Sequence, residues 1–468
     1  MGILLLSVVT TFLSVPFGTG TNVTAGIQRE IDALSASGGG TLVVPAGEYV
    51  VASLELKSHV TLKLARGAFL LGSADRADYA IYPNKGDSNS AVVFADGAEG
   101  VAVEGEGVID GRGILHRRQT VRDGKPYLEP GSDALYFNNC RNVRVEGVTL
   151  RNPSSWCCFF RGCDGVVARK VRIYNHNNPS NDGMDIESSN VLVEDCDIDS
   201  EDDSLVLKAR EPGRVVENVV VRRCRLSSNA EHIKIGTETL GTFRNILVED
   251  CDVACRTPKG FTGSWLHFPG VESLQTALAA ITLYLVDGGS VEGVTVRRIR
   301  IGEGIMTPIC IRCGARKPRQ LPGRGFFRNV LIEDVKMSAT SAGFVACSVT
   351  GLPDLRPTDV TFRNLELAFK GGGRAEDAAE RITDEHADVY PAPYFVFRSK
   401  LPAYAFYLRH ADGIRFENVT TTVADPLEAR PPIAADDAAY VAEGCSFESP
   451  RGVNSNLSTT QPNTTQKE

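Results

Sequence analysis

Residues 190–198 read NVLVEDCDI, and residues 245–253 read NILVEDCDV. In each, an Asn opens a run with apolar side chains at alternate positions, Val191 and Val193 in one and Ile246 and Val248 in the other. Two polar residues follow, then a second short alternating pair. Alternation of this kind marks a strand with one buried face. The unit therefore reads as strand, bend, strand, too short to stand alone as a hairpin.

The pattern recurs as NVRVEGVTL (142–150), GVVARKVRI (165–173), NVVVRRCRL (218–226), GVTVRRIRI (293–301), NVLIEDVKM (329–337), DVTFRNLEL (359–367) and GIRFENVTT (413–421). The first spacings are 23, 25, 28 and 27 residues, with no helix between units. A repeat of this length made only of short strands predicts a solenoid, in which each coil covers the next. Leucine-rich repeats do not fit, because their leucine spacing and helical segments are missing. The expected fold is all-β, a single-stranded right-handed parallel β-helix. Cys196, Cys224 and Cys251 share one repeat position, so they are expected to stack inward as small hydrophobes. Cys310 and Cys313 form a C-x-x-C without a second pair, which does not make a zinc site.

Solenoid ends need covering. Residues 24–37, TAGIQREIDALSAS, place Ile27, Ile31 and Leu34 at helical spacing ahead of the strand TLVVP, and predict an N-terminal capping helix. Residues 1–20 have the apolar run and small residues of a signal peptide. Sequons at Asn22, Asn418, Asn456 and Asn463 agree with a secreted, extracellular or periplasmic protein. The expected organisation is a leader over 1–20, one β-helix domain over 21–449 and a polar tail over 450–468. The net charge of −8 argues against nucleic acid or an anionic membrane as partner. A monomer is expected, with no cofactor and no resident metal.

Between Asp182 and Asp203 the chain carries ten carboxylates and no Lys, Arg or His. Glu194 and Asp195 occupy the bend of their repeat, where Glu249-Asp250 and Glu333-Asp334 recur, and are expected to face water. Asp197 and Asp199 alternate with Cys196 and Ile198 and are expected to point outward. Asp182, Asp202 and Asp203 break the repeat and lie in Gly/Ser/Asn-rich segments. Asp182 precedes the other two by 20 and 21 residues, about one coil. Parallel strands sit about 4.8 Å apart, so the two groups are expected to meet on adjacent coils. Such a cluster suits catalytic acids, which in inverting glycosidases lie about 6.5–9.5 Å apart, or a calcium site. One coil further on, residues 227–239 supply Glu231, His232, Lys234 and Glu238. Trp156 and Tyr174 are aromatic candidates for stacking on a sugar, with stacked core residues as the commoner alternative.

Ser180-Asn181-Asp182-Gly183, followed by Glu201-Asp202-Asp203, resembles the polygalacturonase family of glycoside hydrolases (family 28), within the pectate-lyase-like β-helix group. The similarity runs over about residues 24–420, including TLVVPAGEY, LVDGGSVEGVTV and MTPICIR. The resemblance implies inverting hydrolysis of a pectic bond, with a uronate-bearing polysaccharide as substrate. It makes Asp202 the general acid, with Asp182 and Asp203 holding and deprotonating water. This chain departs from the family's Gly-His-Gly and Arg-Ile-Lys segments. Asn229-Ala230-Glu231 stands where the first is expected, with His232 beside it as the catalytic candidate and Glu231 or Lys234 as the alternatives. The candidate substrate-binding residues are Asp185, Glu231, Lys234, Arg256, Lys259 and Arg312, with Arg316, Trp265 and His267 as further possibilities. Two other readings stay open: a calcium-dependent polysaccharide lyase, and a carbohydrate-binding β-helix without activity.

Overall fold

The computed structural model describes residues 9–14, 18–82, 88–116, 119–122, 125–257, 277–316, 325–337, 345–385, 387–388, 391 and 401–448. The chain divides into two compact units, one running to Asp203 and the other from Ser204 onward. Each is built of parallel strand rungs, and the fold is the right-handed parallel β-helix.

Two backbone corners per repeat explain the recurring sequence. The opening residue is left-handed throughout: Asn142 (φ 54°), Gly165 (75°), Asn190 (56°), Asn218 (55°), Asn245 (56°), Gly293 (67°), Asn329 (58°), Asp359 (53°) and Gly413 (64°). Asn, Asp and Gly are the residues that accept this region at least cost. Five positions later the second polar residue of the bend is left-handed again, as at Asp195 (56°), Asp250 (56°) and Asn364 (54°). The chain thus turns sharply at two fixed points while the strands between stay straight.

The alternating residues then stack in rows. In the first unit Leu42, Leu62, Val103, Val145, Ala168 and Val193 pair rung to rung, each fully buried. In the second, Val221, Val248, Val296, Ile332, Phe362 and Phe416 do the same. Burying one such side chain contributes about 1.5–3 kcal/mol, so each added coil extends a continuous core. Cys196 is buried in the first unit, and Cys224 and Cys251 are buried and in contact in the second. All twelve cysteines are free thiols. Cys157 and Cys158 are fully buried, and burial pushes both thiols well up. Cys310 and Cys313 lie on the strand Ile305–Cys313, where residues three apart point to opposite faces and cannot share a metal.

The helix Thr24–Ala36 forms as expected and buries Ile27, Ile31 and Leu34. Ahead of it, Thr10–Phe12 pairs in parallel with Thr41–Val43, so part of the run read as a leader forms a strand.

The bend carboxylates are a correction. Glu194 is buried, and its Oε1 lies 2.5 Å from Arg169 Nη2. Glu249 meets Arg297 (2.7 Å) and Arg298 (2.6 Å), and Glu333 meets Arg363 at 3.1 Å. These acids do not simply face water; long Arg stems from neighbouring coils cover them. Asp195 is exposed, and Asp250 is partly buried and meets Arg298 (2.6 Å).

If the opening corner requires a left-handed residue, Asn245→Gly leaves urea stability almost unchanged, whereas Asn245→Val lowers it by about 1–2 kcal/mol. Equal losses in the two variants would show that the side chain, not the backbone conformation, matters there.

Candidate active site

The first unit brings Asp182, Asp202 and Asp203 together. One carboxylate oxygen from each lies within 4.8 Å of the other two, and all three side chains are buried. Gly183 N donates to Asp203 O (2.7 Å), and Asp202 N to Asn181 O (3.4 Å), joining the two coils beside the acids. Asp203 N donates to Asp202 Oδ1 at 3.0 Å. The expectation that a 20-residue offset places the two groups on adjacent coils therefore holds.

Two buried amides set the backbone that carries them. Asn181 Oδ1 accepts from the amides of Asn177 (3.2 Å) and Asn178 (2.7 Å). Its Nδ2 donates to the carbonyls of Pro153 (3.2 Å) and Ser155 (2.6 Å), using both donors and both acceptor positions of the side chain. Asn175 Nδ2 donates to the carbonyls of Asn181 (2.8 Å) and Asp182 (2.9 Å). Ser180 completes the turn in the left-handed region, with φ 55°. Sequence reasoning gave no role to either Asn. Asn181 had a signal, its place directly before Asp182, but nothing in the chain pattern marked Asn175.

Asp185 is fully buried and stands in register with Phe159. Trp156 is packed edge-on against Phe159 (5.2 Å), as a core residue, whereas Tyr174 is exposed beside His176 (5.0 Å). Asp197 and Asp199 are partly buried; Asp199 Oδ1 lies 3.0 Å from His176 Nε2.

The second unit holds the remaining candidates. His232 is fully buried, with Nδ1 2.8 Å from Ala279 O and Nε2 3.3 Å from Ala254 O. Both ring nitrogens thus face backbone carbonyls of this unit, an arrangement that anchors the ring. Glu231 and Lys234 form a buried pair (Oε2–Nζ 2.5 Å), and Tyr284 Oη also donates to Glu231. Lys234 Nζ lies 5.9 Å from the Tyr284 ring centroid. Arg316 clamps Asp287 with two hydrogen bonds (2.7 and 3.0 Å) and reaches Thr237. Arg312 is buried, and loss of water pushes its guanidinium below the ordinary value. Arg256 is exposed; Lys259, Trp265 and His267 lie outside the described residues. Glu238 is partly buried. Burial pushes its carboxyl up, but Lys208, Arg316 and Lys234 outweigh that and hold it down to about 2.

Residues 35–257 match the profile of Glycosyl hydrolases family 28. The chain is 28% identical over 246 residues to a Vitis vinifera protein named "Probable polygalacturonase", covering 47% of this chain and 49% of that one. It is 29% identical over 242 residues to an exo-poly-alpha-D-galacturonosidase of Dickeya chrysanthemi, covering 40% of each. The chain thus spans about half the length, or less, of these curated relatives. Its fold is similar to that of the family 28 exopolygalacturonase of Yersinia enterocolitica, with a TM-score of 0.66 at 16% identity, over 94% of this chain and 78% of that one.

Two measurements check this geometry. Asn181→Ala strands four buried backbone groups, and is expected to lower stability by about 3 kcal/mol or more; a loss under about 1 kcal/mol would mean the network is replaceable. Glu238 has a depressed pKa, so its contribution is present above the ordinary 4.5 and is lost as pH falls toward 2. The difference in melting temperature between wild type and Glu238→Gln should therefore narrow across that range, and a constant difference would refute the assignment.

Proposed function

We propose that this chain, whose residues 35–257 match the family-28 glycosyl hydrolases, acts as a member of that family and hydrolyses a galacturonate-containing polysaccharide at the Asp182–Asp202–Asp203 cluster. The observation that carries the reading is the convergence of these three buried carboxyl groups from two coils. The relatives' names supply galacturonan as the substrate to test first.

In this mechanism Asp202 gives its proton to the glycosidic oxygen as the bond to the anomeric carbon breaks. Asp182 and Asp203 hold a water and take its proton while its oxygen bonds to the same carbon from the opposite side. The products are two sugar chains, one with a new reducing end. Held by Asn175 and Asn181, the acids need little reorganisation to act, which is the physical basis of preorganised catalysis. The 4.8 Å value is an upper limit on the separation of one oxygen from each acid, not the distance between carboxyl centres. Inverting enzymes show about 6.5–9.5 Å and retaining ones about 5–5.5 Å between carboxyl groups. We favour inversion because three acids, rather than two, can hold a water and still leave one proton donor.

With its ring nitrogens on carbonyls, His232 takes no proton in this scheme; it positions its strand. Glu231 and Lys234 act as one buried pair.

Incubation with polygalacturonan tests the chemistry. New reducing ends that persist in EDTA are expected; an unsaturated product absorbing at about 235 nm and abolished by EDTA would instead mark calcium-dependent elimination at the same carboxylates. Asp202→Asn should reduce turnover by at least about a thousandfold with the fold intact. Proton NMR of the first product should show the inverted anomer, and retention would sink the single-displacement mechanism.

A further inference from the structure

In the second unit, residues 370–405 connect the strand Pro357–Phe369 to the strand Phe406–Glu417. The start of this connection is fastened by a buried ion pair. Arg430 Nε and Nη2 donate to Glu428 Oε1 (2.9 Å) and Oε2 (2.8 Å), and Gly373 N donates to the same Oε2 at 2.9 Å. A Cβ at Gly373 would collide with the Arg430 guanidinium, so only glycine fits here. Arg430 holds the far end as well, since its Nη1 donates to Leu401 O (3.2 Å). Between the two ends, Ile382 packs in one apolar cluster with Met306, Leu401 and Tyr407. Burial pushes the Glu428 carboxyl up, but Arg430 and the Gly373 amide outweigh that and hold it below the ordinary value. These attachments therefore persist unchanged through the neutral pH range.

A further attachment is of a different kind. Asp384 and Ala387 belong to one turn, in which Ala387 N donates to Asp384 O (3.0 Å). Ala387 O accepts from Ala315 N (2.8 Å), just beyond the strand Ile305–Cys313, so whatever holds Asp384 also protects this amide. Asp384 is held by Arg409 (Oδ1–Nη2 3.2 Å) and by His410 (Oδ2–Nε2 3.3 Å). The His410 contact is an electrostatic one rather than an aligned hydrogen bond. On the other side of this buried ring, Nδ1 lies 2.6 Å from Asp437 Oδ2, on the neighbouring rung Ile433–Glu443.

Each ring nitrogen of His410 thus faces a carboxylate. An imidazolium satisfies both, whereas a neutral ring must turn a lone pair toward one of them. The surrounding charges are arginine–carboxylate pairs. Arg356 joins Asp437 (2.7 Å) to Asp412 (2.6 Å), and Arg409 joins Asp384 to Asp436. Arg312 adds a further positive charge acting on Asp384. Arg356 and His410 hold the Asp437 carboxyl below its ordinary value, so it stays an anion near neutrality. When the ring loses its charge, Asp384 keeps its arginines but loses its tie to the rung that carries Asp437.

We propose that His410 is a pH-sensitive latch, which as an imidazolium ties the Asp384–Ala387 turn to the rung carrying Asp437 and releases it as pH rises through neutrality. The inference does not depend on the hydrolase reading, because its test reads hydrogen exchange rather than turnover. The full chain is exchanged at about pH 5 and about pH 8, a range in which imidazole is the ordinary side chain that changes charge. Rates are corrected for the intrinsic pH dependence of exchange and read by mass spectrometry on peptides covering residues 312–316 and 377–388. Wild type is expected to lose about threefold to fivefold of its protection there at the higher pH, the scale of one ion pair. Peptides covering residues 290–301 should stay equally protected. His410 occupies a left-handed corner (φ 46°), which Asn also accepts. His410→Asn should therefore fold and show the lower protection at both pH values. Asp384→Asn, which alters the turn and leaves the rung intact, should do the same. Protection indifferent to pH in wild type, or a wild-type pH dependence that persists in His410→Asn, would overturn the latch.

Discussion

Parallel strands stacked about 4.8 Å apart convert sequence distance into contact at a fixed exchange, one coil for one rung. The acid cluster depends on that constraint more than on any single bond. Asp182 and the Asp202–Asp203 pair lie 20 and 21 residues apart, and the coil between them brings their oxygens within 4.8 Å. A residue inserted into that coil would move one group to another face of the strand, since side-chain direction alternates along it. The core resists such slippage, because rows such as Val145–Ala168–Val193 would lose their register together.

Stacking alone brings like charges together without fixing their directions. At the bends the chain compensates each buried acid with arginine: Glu194 with Arg169, Glu249 with Arg297 and Arg298. At the cluster, amides fix the backbone from behind. Asn181 closes four hydrogen bonds and Asn175 two, all to main-chain atoms. The bend acids are thus tied down through their own side chains, whereas the cluster's backbone is tied down through neighbouring amides.

This contrast also explains what was legible in the sequence. The repeat was readable because its causes are local: left-handed corners select Asn, Asp and Gly, and inward positions select aliphatics. The helix Thr24–Ala36 and the meeting of the Asp motifs followed from the same period. Glu194 was misread as solvated because its partner, Arg169, is 25 residues away and visible only once the coils are in register. Arg312 and His232 are harder still. A strand pattern states which way a side chain points, but not what covers the outward face, and loops between repeats do that. Lys259 stood as a candidate by composition alone, in a segment outside the described residues.

The acid cluster sits where the repeat is interrupted, and a physical reason favours that placement. Inside the repeat every backbone group is committed to a neighbouring rung, and every inward side chain to a row. A segment between rungs has free choice of corner conformation, but must satisfy its buried amides and carbonyls by other means. Residues 175–183 do so with asparagines, and those asparagines reach outward as well: Asn178 to Gly113, Asn181 to Pro153 and Ser155. The stitching that satisfies the backbone thereby couples the segment carrying Asp182 to the preceding coils. Insertions can lengthen the loops between rungs without disturbing the rungs, since closing a longer loop costs only about 0.6 kcal/mol per doubling. Loop length around the acid motifs can therefore vary while the rungs keep those motifs in place.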